Sequence, residues 1–60
     1  MKLKRYYFNA YNADEIIINR ISVVCNDLET ARRKAVHKLN LLYGGLACFC
    51  RLNFDYHETI

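Results

Sequence analysis

The chain has no proline, only two glycines and no long apolar run. Without proline, a polyproline segment or a stiff inter-domain linker is excluded. The glycines are adjacent, Gly44-Gly45, and an expected strand follows them, so they do not form the glycine-rich loop that cradles phosphate at a helix N-terminus. The longest apolar runs, Ile16-Ile17-Ile18 and Leu46 to Cys50, fall far short of the roughly 20 residues that cross a bilayer. No membrane segment is expected, and Met1-Lys2-Leu3-Lys4-Arg5 leads into Tyr6-Tyr7-Phe8 rather than into a secretory apolar core. Cysteine is sparse and odd in number (Cys25, Cys48, Cys50), and no Asn-x-Ser/Thr acceptor occurs. Both point to a reducing interior, the cytoplasm.

What is present is enough for one core. With 53% hydrophobic and 25% charged residues the chain is too apolar for disorder, and 60 residues leave room for one domain, 1–60, and no second. The net charge of +3 permits attraction to nucleic acid or to an acidic protein surface and demands neither.

Alternation predicts a strand over Lys2 to Tyr11, with Tyr6, Phe8 and Ala10 inward and Arg5, Tyr7, Asn9 and Tyr11 outward. Asn12-Ala13-Asp14 has hairpin-turn chemistry. Glu15 to Cys25 is rich in β-branched residues, but Ile16 and Ile18 share one parity while Ile21, Val23 and Cys25 share the other. A bulge near Asn19 would bring both sets onto the core face; the alternative is a strand that exposes two isoleucines.

A helix is predicted from Asn26 to Tyr43, with a side-chain acceptor at its start and Glu29 three residues on. Leu28, Ala31, Ala35, Leu39 and Leu42 form one apolar stripe, Val36 and Tyr43 sit at its margin, and Gly44-Gly45 ends it. Leu46 to His57 alternates again: Leu46, Cys48, Cys50, Leu52, Phe54 and Tyr56 inward, Ala47, Phe49, Arg51, Asn53, Asp55 and His57 outward. The order β-β-α-β predicts an α+β fold, a three-stranded antiparallel sheet with the first strand central and the helix on one face.

No residue set spells out a reaction. Cys48 and Cys50 are one residue apart on an expected strand, whereas structural zinc sites space two thiolates by two to four residues; the cysteines read as core, and neither metal nor cofactor is expected. No cysteine stands at a helix start or beside a lysine, so a thiolate nucleophile is not expected, and an enzyme is not. Two candidate surfaces emerge. The open sheet face collects Arg5, Tyr7, Tyr11, Arg20, Phe49, Arg51 and Asn53, and tyrosine and arginine are frequent interface anchors. Aromatics among basic residues on a sheet can also stack bases, so a direct nucleic-acid binder is the alternative. The second surface is the basic side of the helix, Arg32, Arg33, Lys34 and Lys38 with His37, which as a charge run also reads as a solvated face.

The hairpin, the capped helix Asp27-Leu28-Glu29-Thr30-Ala31-Arg32-Arg33-Lys34-Ala35, the glycine exit and the final strand together resemble the small bacteriophage-encoded inhibitors of bacterial machinery. That group includes an inhibitor of host RNA polymerase and several anti-CRISPR proteins. The resemblance is architectural and carries no functional residue across. It implies a non-enzymatic protein in the host cytoplasm that binds a bacterial protein or ribonucleoprotein complex, such as a CRISPR effector or RNA polymerase, and blocks substrate entry or a conformational step. Such inhibitors are often acidic, and the basic charge of this chain argues against DNA mimicry.

Overall fold

The apolar alternation after Leu3 becomes strand β1 (Lys4–Tyr11), the centre of a three-stranded antiparallel sheet. The computed structural model describes residues 2–60, the side chains of Ala47 and Cys48 apart, so the expected inward Cys48 and outward Ala47 lie outside the described side chains. Strand β2 (Ile17–Cys25) lies on one side of β1 and β3 (Arg51–Thr59) on the other, and helix α1 (Leu28–Tyr43) crosses one face of the sheet, chiefly over β2. This is the expected α+β, β-β-α-β arrangement. Tyr6, Phe8 and Ala10 of β1 and Ile21, Val23 and Cys25 of β2 face α1 and are buried, together with Ala31, Ala35 and Leu39 of the helix.

The small Ala31 and Ala35 bring α1 close to the sheet along one narrow row that Leu39 and the half-buried Tyr43 continue. Leu28 and Leu42, expected on the buried stripe, flank that row and stay exposed.

The helix is capped one residue later than the sequence suggests, at Asp27 instead of Asn26. Asp27, in extended conformation, is the N-cap: its Oδ1 accepts the Thr30 N–H at 2.7 Å, and its Oδ2 accepts the Thr30 hydroxyl at 3.1 Å. Glu29 therefore does not close a capping box and pairs with Arg33 at 3.5 Å. The Thr30 N–H holds the Asp27 carboxyl below its usual range. A carboxyl lowered on folding stabilises fully above the unfolded aspartate value of about 3.9, and that contribution fades as pH falls through the lower folded value. Asp27→Ala is expected to lower the melting temperature by roughly 4–8 °C at neutral pH. The gap from the parent chain should shrink in thermal melts taken below about pH 4.

Gly44 ends the helix at φ 57°, ψ −131°, its N–H donating to the Asn40 carbonyl. The next residues correct the expected third strand: Gly44–Phe49 form a 3-10 turn, and β3 begins only at Arg51. The cause is the length of β1. Arg51 pairs with Tyr11, the last residue of β1, so residues 46–50 have no strand left to pair with. Beyond Tyr11, Asn12 builds the hairpin turn by accepting the Asp14 and Ile16 N–H groups on Oδ1 at 2.9 and 3.0 Å. Glu15 takes φ 61° there.

Both outer strands carry a bulge. On β2, Ala10 pairs with Asn19 but Tyr11 with Ile17, so Ile18 is the extra residue, beside the position expected. The expected burial does not follow. Ile16, Ile17 and Ile18 are 60%, 45% and 36% exposed: Ile16 lies in the hairpin turn ahead of β2, Ile17 stands opposite the outward Tyr11, and Ile18 is the unpaired extra residue. On β3, Tyr7 pairs with Tyr56 and Phe8 with Phe54, which makes Asp55 extra. That insertion reverses the parity of everything after it. Tyr56, expected inward, joins the open face, while His57, expected outward, lies 5.5 Å from the Tyr6 ring on the helix side. No helix among the described residues is long and apolar enough to cross a membrane.

Candidate functional site

The face of the sheet opposite α1 is built from the outward residues of β1 and their cross-strand neighbours. Arg5 lies opposite Glu58, Tyr7 opposite Tyr56, Asn9 between Arg20 and Asn53, and Tyr11 opposite Arg51. Six of the expected binding residues, Arg5, Tyr7, Tyr11, Arg20, Arg51 and Asn53, are thus brought onto one surface. Phe49 is not among them. It belongs to the 3-10 turn and lines a separate hollow of about 300 Å³ with Ile18, Tyr43 and Leu46.

At the centre the Tyr7 and Tyr56 rings stack, 4.5 Å between centroids and 17° between planes. The Tyr7 hydroxyl donates to Glu58 Oε1 at 2.5 Å, and the same oxygen is 3.6 Å from Arg5 Nη1. That hydrogen bond to a carboxylate raises the Tyr7 phenol above its ordinary range, so Tyr7 is a neutral donor at physiological pH. On the opposite face, burial likewise raises the Tyr6 phenol. Arg51 pairs with Glu15 at 3.6 Å. Such exposed pairs add little stability. Their consequence is electrostatic: Arg5 and Arg51 are set against Glu58 and Glu15, Arg20 and Asp55 line one depression, and the formal charges of these six residues balance. A depression of about 200 Å³ opens beside the stacked pair, lined by Tyr7, Asn9, Arg20, Ser22, Asp55 and Tyr56. It is smaller than the roughly 300–1,000 Å³ of a typical small-molecule pocket and suits one inserted side chain.

Sequence reasoning missed Tyr56 and Glu58. Both come to this face only through the extra residue Asp55, and no glycine or parity break in Arg51–Thr59 marks that bulge.

The basic side of α1 is less free than a solvated charge run. Lys38 Nζ donates to the Ser22 carbonyl at 2.7 Å, Lys34 Nζ to the Val24 carbonyl at 3.5 Å, and Arg33 holds Glu29. Arg32 and His37 have no ion pair among the described residues. Cys25 takes its expected place in the core, its Sγ donating to the Asp27 carbonyl at 3.1 Å, and Cys50 is half-buried at the end of the 3-10 turn rather than on a strand. Among the described residues no group of three His, Cys, Asp or Glu side chains is placed to hold a metal ion.

Neither known protein families nor curated proteins nor solved structures give a match to this chain.

Proposed function

We propose that this chain is a non-catalytic binding protein that docks on a larger protein or ribonucleoprotein through the open face of its sheet. The observation that carries the reading is the stacked Tyr7–Tyr56 pair beside a side-chain-sized depression, among arginines whose charge is already balanced. Aromatic area next to polar, neutralised surroundings is the composition of a protein–protein hot spot. A surface that binds phosphates instead needs uncompensated cations and ring faces open to bases. Here two of the arginines hold carboxylates and the two tyrosine rings cover one another. The helix lysines, which would otherwise supply phosphate contacts, are engaged by backbone carbonyls of β2.

The partners to test first are those the architectural resemblance implies, bacterial RNA polymerase and CRISPR effectors, met in the bacterial cytoplasm. In such a complex the tyrosine pair supplies buried area, Arg20 and Asn53 supply directional donors, and occupation of the partner's surface blocks a substrate path or a movement. The test is capture of each purified complex by the tagged chain, with and without nuclease, over a salt series. Retention after nuclease with a shallow salt dependence is the expected result. Binding lost with the nucleic acid, or falling steeply and linearly in log affinity against log salt, would put direct nucleic-acid binding in its place.

A further inference from the structure

The two edges of the sheet are unlike. Along β2, Lys38 and Lys34 of α1 occupy the carbonyls of Ser22 and Val24, and charged side chains on an edge are a common guard against pairing with another chain. Along β3, among the described residues, no other element bonds to the outer backbone edge.

The pairing pattern identifies the free groups. The Asn12 N–H bonds the Ile16 carbonyl across the hairpin, and the Ile60 N–H bonds the Leu3 carbonyl, so even-numbered positions of the first strand face β2 and odd-numbered ones face β3. On β3 the partners of Tyr11 and Asn9, Arg51 and Asn53, then direct their backbone groups inward. Leu52 and Phe54 direct theirs outward.

We infer that β3 pairs with β3 of a second copy of this chain, antiparallel about a twofold axis at Asn53, joining the two sheets into one. In this register Leu52 of each copy lies opposite Phe54 of the other, so the outward N–H and C=O groups meet. The two side chains belong to the helix side of the sheet, where Phe54 is still 36% exposed. On the open side, Arg51 of each copy lies opposite Asp55 of the other. Opposite charges directly across a strand pair stabilise it, and like charges there oppose it. A register centred on Asp55 would instead set two carboxylates against each other. The regular ladder runs through Phe54 and the bulge begins at Asp55, so this register ends on the bulged residue and the two charge pairs close the paired segment at its ends.

The experiment is sedimentation of the whole chain over a concentration series, with amide exchange followed in parallel. The expected result is a monomer–dimer equilibrium in which the Leu52 and Phe54 amides gain protection as dimer forms. Asp55→Arg places arginine against arginine twice and should weaken dimerisation on the order of tenfold, as should Arg51→Asp. Arg51→Asp with Asp55→Arg should restore it. Both positions are exposed, so each variant is expected to fold, and thermal melts check this. A chain that stays monomeric at every soluble concentration overturns the inference. So does a dimer indifferent to the single reversals, or one that the double reversal fails to rescue.

Discussion

Phe8→Ala is expected to leave the chain largely unfolded at 25 °C. Among the described residues Phe8 is the largest side chain fully removed from solvent, at the middle of the central strand, and its ring meets Phe54 edge-on at 5.8 Å between centroids. Truncating a buried phenylalanine costs about 3–5 kcal/mol, and a core this size supplies a net stability of only about 3–5 kcal/mol. The cavity could not close cheaply. The helix residues in the core are chiefly Ala31 and Ala35, too short to reach into the gap, and the backbone on either side is fixed by pairing to two strands. Far-UV circular dichroism through a urea titration measures the effect, with Phe8→Leu as the smaller truncation that should still melt cooperatively. A Phe8→Ala chain with a midpoint close to that of the parent would mean that the core lies elsewhere.

The alternation of β1, the helix row through Ala31, Ala35 and Leu39 and the stop at Gly44 were legible because each is a local pattern with one geometric solution. The place of the bulge beside Asn19 was legible, since apolar parity changes there, but its consequence was not: the inserted residue leaves Ile16, Ile17 and Ile18 exposed instead of bringing them onto the core face. The insertion at Asp55 left no such trace. Leu52, Phe54 and Tyr56 keep a flawless alternation, and an amphipathic tyrosine suits either face, so hydropathy gave no signal that Tyr56 had crossed the sheet. The 3-10 turn was hidden by a long-range constraint. Leu46 to Cys50 alternates well enough for a strand, but a strand needs a neighbour, and where β1 runs out is decided by the hairpin at Asn12. The lysine contacts to β2 carbonyls were likewise out of reach, since they depend on how closely α1 lies over that strand.

Tyr7→Ala with Tyr56→Ala is expected to abolish binding of the partner while leaving cooperative melting in place. The two rings pack on each other on the face away from α1, so their removal takes no side chain out of the core formed with the helix. As hot-spot residues, either truncation alone should weaken binding on the order of 30-fold. The rings touch, so the two losses are not independent and the double variant should be read as a unit. Tyr7→Phe separates the two things this residue offers. It keeps the stacked ring and removes the hydroxyl that donates to Glu58, so binding should survive if ring area is the anchor. Arg32→Ala with Arg33→Ala is the matched control on the helix, where no aromatic pair is present, and it should have the smaller effect. Affinities for the purified complex, measured at low and moderate salt, decide between the surfaces. If the helix pair proves the more damaging and its effect disappears as salt rises, the attraction is to phosphates or acidic residues through α1, and the open sheet is not the docking face.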